Sequence, residues 1–428
     1  MSRTISISIV GAGSSYTPEI VDGILTHSVE ELPIRQLSLM DIRPDRLAVM
    51  AGLSQRMIHH AGRPIAVRSG TRLEEMVDGA DFVITQIRVG GMEARHLDET
   101  IPLKYGIIGQ ETTGPGGMFK ALRTIPPMIE IARTVERVSP KAFVLNYTNP
   151  SGIITEAVRK HTDARLIGLC SGIPGMQQML RRRLGEVYPD LATYCVGLNH
   201  LGFIHRILSG GRDVTVEAIE RMCAEDEAVS GDNAADMTGM RLAKLLGAVP
   251  IGYARYYFNR AQMLEKARSA PETRAQQVLK LERETFEEAA RPETVRKPQA
   301  LLKRGGRGYA GITFMALGAL LSETGAEVPA NVLNRGAVEG IEDDASVEVV
   351  CRMDRNGATP LPVGPIPLAF RGVVQAVKAY ETLTVEAAVK RDRRLAVRAL
   401  LNHPLVGDLD VVEPLVDEML AAHRLKFS

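Results

Sequence analysis

Residues 4 to 10 read TISISIV and run directly into Gly11-Ala12-Gly13-Ser14-Ser15-Tyr16. The run alternates polar and apolar residues and then turns wholly apolar, as a buried parallel strand does, and a helix pattern begins near Pro18. Strand, glycine turn and helix in that order leave few folds open. Gly11 permits the tight turn, Gly13 lets the backbone approach a pyrophosphate, and that anion would rest on the helix N-terminus. Tyr16 stands where the usual fingerprint has its third glycine. A second apolar run, Leu37 to Met40, ends at Asp41, whose carboxylate suits ribose hydroxyls or, alternatively, caps the next turn. Arg43 and Arg46 follow it. The candidate dinucleotide site is therefore Gly11, Gly13, Ser14, Ser15, Asp41 and Arg43, with NAD the expected cofactor.

The alternation continues: a strand at 64–68, a helix at 72–78, a strand at 81–87, a helix at 118–137, a strand at 142–147 and a helix from Pro150. Strands alternating with helices predict an α/β fold, a Rossmann-like doubly wound parallel sheet. After His200 the pattern becomes mixed. Glu272 to Glu288 is helical and strongly charged, as a solvated face would be; Ser346 to Pro367 reads as strand, DRNG turn and proline-rich connection; the last sixty residues look helical. We expect an NAD-binding domain at 1–195. Residues 196–428 then form a second, mixed α/β and largely helical C-terminal domain for substrate, metal and oligomerisation.

Ligands of doubly wound sheets bind beyond the C-terminal strand ends. There this chain places Gln86, Arg88 and Arg95, then Asn146 and Asn149 in LNYTNPSG, then Cys170 in LIGLCSG, and Asn199 and His200 in GLNHLGF. Each is also ordinary turn chemistry; their recurrence at successive strand ends points to a site. A thiolate and an imidazole, Cys170 and His200, suit a divalent transition metal with positions left open for substrate, although a buried cysteine often serves only as a small hydrophobe. Between the clusters lies Asp98 to Arg123, with five glycines from Gly106 to Gly117 among Glu111, Thr112 and Thr113. That stretch reads as a loop able to bend around an anion before a helix starts at Met118. Tyr253, Tyr256 and Tyr257 form a further cluster. They either pack a helix face or include a general base.

With 52 basic against 51 acidic side chains, no long basic block marks a nucleic-acid partner. No apolar run is long enough to span a membrane. The opening residues lead straight into the glycine turn and not into a signal peptide's apolar region. Four scattered cysteines fit reduced thiols in a cytoplasmic protein.

Taken together, IVGAGSSYTPE, DIRPDR, QIRVGGMEAR, IPLKYGIIGQETTGPGG, LNYTNPSGI, GLNH, PIGYARYY, TRAQQV and DRNGATPLPVGPIP resemble glycoside hydrolase family 4, most closely its 6-phospho-β-glucosidase branch. The resemblance covers nearly the whole chain. It implies an NAD- and Mn2+-dependent elimination: oxidation at C3 makes the C2 proton acidic, a base removes it, the C1 group leaves, water adds and the hydride returns. Position by position, it implies Cys170 and His200 as metal ligands, Tyr253 as the base and Glu111 as the carboxylate that makes that tyrosine more basic. Arg95, Asn149 and Arg274 match substrate-binding positions. Ser171 stands beside Cys170 where the family usually has Asn or Asp, and it too should touch the sugar. The resemblance implies a sugar substrate, phosphorylated in this branch, and a homodimer or homotetramer. An α-linked or non-phosphorylated sugar or uronide remains an alternative, as do a 2-hydroxy acid dehydrogenase and a non-catalytic NAD-binding sensor.

Overall fold

A computed structural model describes residues 4–230, 238–304 and 309–428. The first half lays down β1 (Ile5–Val10), α1 (Thr17–Leu25), β2 (Ile34–Met40), α2 (Pro44–His60), β3 (Ala66–Gly70), α3 (Leu73–Val77) and β4 (Phe82–Thr85). It continues through α4 (Gly91–Lys104), α5 (Gly114–Val138), β5 (Phe143–Asn146), α6 (Ser151–His161), β6 (Arg165–Gly168) and α7 (Gly172–Leu184). Six of these strands pair in parallel in the order β3-β2-β1-β4-β5-β6, the doubly wound order of dinucleotide-binding sheets. The order reverses beside β1, so a crevice opens at its C-terminal end. Ile5, Ile7, Ile9 and Val10 are buried, and Thr17 donates to the Ala12 carbonyl at 2.8 Å, closing the turn onto α1. Gly11 has φ +91°, and a Cβ there would lie 2.9 Å from the Gln86 carbonyl carbon. Only glycine fits where β1 meets the end of β4.

The second half is mixed α/β and largely helical, as its sequence suggests. β7 (Leu191–Leu198), β8 (Leu201–Ser209), β9 (Arg212–Asp213) and, after α8 (Thr215–Ser230) and α9 (Thr238–Leu246), β10 (Val249–Pro250) form an antiparallel sheet. Its apolar face, with Ile204, Ile207 and Val249, packs with Ile173 and Leu180 of α7 and Met222 of α8. Short helices α10 (Arg255–Phe258) and α11 (Arg260–Ser269) lead to α12 (Arg274–Ala290) and α13 (Tyr309–Leu321). Then come β11 (Ala326–Leu333), β12 (Val338–Glu339), β13 (Ser346–Asp354), β14 (Gly357–Pro360) and β15 (Gly364–Pro365), and last α14 (Leu368–Lys390), α15 (Arg393–Asn402) and α16 (Leu409–Ala422). β11 joins β6 antiparallel through Asn331 and Gly168, and β13 and β14 extend the same sheet to nine strands. The halves therefore share one sheet, a join that strand patterning alone does not show.

The predicted start of α5 at Met118 lies one turn late. Gly114, Gly116 and Gly117 belong to the helix, because this turn is pressed against α4 and the loop before it. A Cβ on Gly116 would sit 2.4 Å from the Gln110 carbonyl oxygen, and one on Gly117 would sit 2.6 Å from the Thr112 carbonyl carbon. The glycines serve close backbone packing.

Glu156 of α6 ties the halves together inside the core. It is fully buried, with Lys378 of α14 at 2.8 Å, Lys160 at 3.2 Å, the Thr382 hydroxyl at 2.8 Å and the Ser346 N–H at 2.9 Å. Although burial alone would raise its pKa, the lysines and hydrogen bonds hold the carboxyl down at about 2. A depressed carboxyl stabilises the fold above the unfolded value near 4.5, and that contribution is lost as pH falls through about 2. Glu156→Gln should therefore cost roughly 3 kcal/mol at pH 7, with the gap to the wild type closing from pH 4.5 downwards in denaturant titrations. A gap independent of pH would mean that the charge contributes nothing.

Candidate active site

The site gathers around Glu111, in the turn that links α4 to α5. Its Oε2 accepts from Arg88 at 2.5 Å and from Lys120 at 2.8 Å, and its Oε1 from Arg95 at 3.0 Å. Burial would raise this carboxyl's pKa, but Arg88, Lys120 and Arg95 together hold it well below the usual range. Arg95 is only 8% exposed and is also held by Glu99 of its own helix, Nε to Oε1 at 2.7 Å. Glu99 in turn accepts the Ala275 N–H at 2.8 Å, so α12 is docked on the same network. Burial, then the neighbouring Arg88, depress the Lys120 ammonium to about 7. Lys120 carried no signal in the sequence beyond being a lone cation among apolar residues in GGMFKAL.

His200 lies in the two-residue turn between β7 and β8, where Leu198 pairs with Leu201. Its φ is +104°, a conformation that non-glycine residues rarely adopt. Its ring stacks on Tyr253 with centroids 4.2 Å apart and planes 4° from parallel. Burial, then the Lys120 charge, lower its pKa to about 4, so the imidazole is neutral at neutral pH. His200 Nδ1 is buried without a hydrogen-bond partner. Tyr253 follows β10 in a 3-10 turn, Gly252–Ala254. Its phenol is pushed up by burial, then by Cys170 and Glu111, while Arg95 opposes them.

Cys170 leaves β6 at the mouth of α7, where Ser171 is the half-buried N-cap and the Gly172 N–H points to Sγ at 3.5 Å. Burial, then Glu348, push the thiol up to about 12, and the Gly172 N–H and Asn199 side chain pull the other way. Asn199 Oδ1 accepts the Ser151 N–H at 2.9 Å. Asn149 gives its amide to the Tyr147 carbonyl at 3.3 Å, and its buried Oδ1 has no partner. Asn146 is a scaffold residue, accepting from Thr85 at 2.9 Å and from the Thr148 N–H at 3.0 Å. Gln86 likewise braces the first turn through the Thr17 hydroxyl at 2.8 Å.

Arg274 stands apart. It is exposed, with Nη1 on Gln277 at 3.0 Å and Nη2 on the Arg304 carbonyl at 2.7 Å, and no ion pair among the described residues joins it to the Glu111 network.

At the dinucleotide turn, Asp41 accepts the Gly13 N–H at 2.8 Å and the Arg43 N–H at 2.9 Å, so it braces both turns that flank the crevice. Arg43 is exposed and pairs with Asp45 at 3.0 Å. Ser14 Oγ accepts the Tyr16 N–H at 3.2 Å. Ser15 is fully buried and donates to Glu282 of α12 at 3.2 Å. Arg46 joins the same carboxylate at 2.9 Å and gives its Nε to the Gly13 carbonyl at 3.0 Å. The charged α12 segment is thus no plain solvated face. Ile42 is left 79% exposed beside Asp41, an apolar rest of the kind a nucleotide base takes.

The donor sets fit both expected groups. Cys170 and the unpartnered Nδ1 of His200 offer a soft and a borderline ligand, and two protein ligands leave positions for substrate oxygens. No group of three or more His, Cys, Asp or Glu residues suited to a metal occurs among the described residues. No helix among the described residues is long and apolar enough to cross a membrane.

Residues 6–186 match the family 4 glycosyl hydrolase model, and residues 195–406 match the model of the C-terminal domain of those enzymes. A probable 6-phospho-β-glucosidase of Bacillus subtilis is 38% identical, the match covering 99% of this chain and 97% of the relative. The 6-phospho-β-glucosidase of Escherichia coli is 36% identical over 99% of this chain and 96% of its own. The solved 6-phospho-β-glucosidase of Thermotoga maritima, with manganese, NAD+ and glucose-6-phosphate, superposes with a TM-score of 0.89 at 34% identity, covering 99% of this chain and all of that one.

Proposed function

The chain belongs to the family 4 glycosyl hydrolases, and from that footing we propose that it hydrolyses 6-phospho-β-glucosides in a reaction that uses NAD and manganese without consuming either. The observation that carries the reading is the meeting of Glu111, braced by Arg88, Arg95 and Lys120, with the stacked Tyr253 and His200 beside Cys170. When bound, NAD+ would supply reversible hydride transfer at C3, and Cys170 and His200 would hold a divalent metal that supplies polarisation of the sugar oxygens.

The chain's own part is proton handling and positioning. Tyr253 holds its own proton tightly, so it serves as the base once that proton has been displaced by the charge of the cation that Cys170 and His200 would hold; the phenolate oxygen then takes the C2 proton, for which Glu111 raises its affinity. Arg95 and Asn149 hold the sugar, Ser171 faces it next to Cys170, and Arg274 receives the 6-phosphate, for which a planar guanidinium is suited. Gly11, Gly13, Ser14 and Ser15 form the pyrophosphate turn, and Asp41 takes the ribose, with Arg43 at its edge.

The division at residue 195 belongs to the same reading. It is supported by the two family matches, the first ending at residue 186 and the second beginning at 195, with the cofactor turn before the boundary and His200, Tyr253 and Arg274 after it. So do a cytoplasmic site of action, where phosphorylated sugars are found, and assembly as a homodimer or homotetramer. Exposed Leu245 and Leu368 are residues that such an interface would cover.

Paired p-nitrophenyl β-glucosides with and without the 6-phosphate test the reading, given NAD+, Mn2+ and reductant. Nitrophenol should appear from the phosphorylated compound alone, without NADH accumulating. Steady NADH release would instead favour a 2-hydroxy acid dehydrogenase. The short Ser171 side chain favours one second reading, an α-linked or non-phosphorylated sugar, which release from those analogues would establish. Cys170→Ser should weaken manganese binding by about tenfold or more in metal titrations, because an alcohol is a harder and poorer ligand than a thiolate. Unchanged affinity would remove Cys170 from the metal's shell.

A further inference from the structure

We propose that Arg304 is an anion-binding residue of the dinucleotide site and that its engagement also sets Arg274, so that dinucleotide and sugar phosphate bind with positive coupling. The proposal rests on the functional reading above. Arg304 ends the 3-10 turn Gln299–Lys303 and is only 5% exposed. Its Nη1 donates to Ser15 Oγ, and its guanidinium carbon lies 4.2 Å over the Tyr16 ring. The charge therefore sits on the glycine turn, at the entry to α1, where a dinucleotide's pyrophosphate rests.

Its Nε is buried and has no acceptor among the described residues. A buried charged donor left unpaired is costly and rare, so an acceptor supplied by a ligand would resolve it. Burial most of all disfavours the charged guanidinium; Tyr16 and Glu282 favour it, and Arg88 and Arg95 as like charges oppose them. A phosphate's two oxygens match the free edge of a planar fork.

The same residue reaches the other site through its main chain. The Arg304 carbonyl accepts from Arg274 Nη2 at 2.7 Å. One residue thus has its side chain on the cofactor turn and its carbonyl on the arginine assigned to the 6-phosphate. α12 reinforces the link, with Glu282 on Ser15 and Arg46 near its middle and the Ala275 N–H on Glu99, the partner of Arg95, at its start. A pyrophosphate that fixes Arg304 also fixes Arg274, so the sugar phosphate finds its arginine already ordered. Linkage requires the converse effect to be equal.

The test is calorimetric titration of the full chain with NAD+ and with glucose 6-phosphate, each alone and with the other saturating. For the wild type, each ligand should tighten the other by the same factor, several-fold or more. Arg304→Gln should weaken NAD+ by about tenfold and bring the coupling factor to about one. A folded variant, judged by its melting curve, that keeps both affinity and coupling overturns the proposal. If the variant does not fold, the wild-type titrations decide: equal Kd values with and without the partner ligand overturn the coupling. A wild type that binds NAD+ but no sugar phosphate contradicts the functional reading itself.

Discussion

Tyr253→Phe is expected to lower kcat by roughly 10²–10⁴-fold while leaving NAD+ affinity within about twofold of the wild type. The substitution removes one oxygen and keeps the ring, which stacks on His200 at 4.2 Å and should hold the local fold. None of the hydrogen bonds at the glycine turn involves Tyr253, so the cofactor site has no reason to respond. The neighbouring tyrosines are poorer bases. Tyr256 lies off to one side, its centroid 5.9 Å from that of Tyr253, and Tyr257 packs against the buried His403 at 5.8 Å. A variant retaining more than about a fifth of wild-type kcat would pass the role to Tyr256.

Glu111→Gln should do comparable damage to activity and more to stability. It withdraws the charge that Arg88, Arg95 and Lys120 share, while Arg95 keeps its pairing with Glu99. Removing one partner of a buried ionic group costs about 3–5 kcal/mol, because the others stay desolvated. The Tyr253 phenol also loses one of the neighbours that hold its pKa up. Adding Lys120→Met should recover part of the stability, since burial already works against the lysine's charge, but none of the activity. Strictly additive losses in a double-mutant cycle would show that the two residues are not coupled.

The sequence reading went furthest where chemistry is local. TISISIVGAG predicts its strand, turn and helix because a single stretch contains all the determinants, and Asp41 follows β2 beside that turn, where it accepts the Gly13 and Arg43 N–H groups. The polar residues after β4, β5 and β6 do fall along one edge of the sheet, because parallel strands with right-handed crossovers bring those ends together, whereas Asn199 and His200 come from the β7–β8 turn of the separate antiparallel sheet. Long-range pairing stayed hidden. Glu282 looks like any acid of a charged helix, yet it faces Ser15 across 267 residues, and only the docking of α12 makes it internal. Lys120 and Glu99 become legible only once α4 and α5 are packed. The helix start at Gly114 was missed because glycine signals a loop in isolation, whereas here it removes the Cβ atoms that would collide with the Gln110 and Thr112 backbone. The nine-stranded sheet was missed because β11 meets β6 through one residue pair.

The central claim is a redox-neutral elimination in which a C2 proton is exchanged with solvent. Turnover of a 6-phospho-β-glucoside in D2O, with the released glucose 6-phosphate analysed by NMR, tests it most directly. The account predicts one deuterium at C2 of every product molecule, and no NADH beyond the enzyme's own concentration. Product carrying only hydrogen at C2 would contradict it and assign the cleavage to direct displacement at C1.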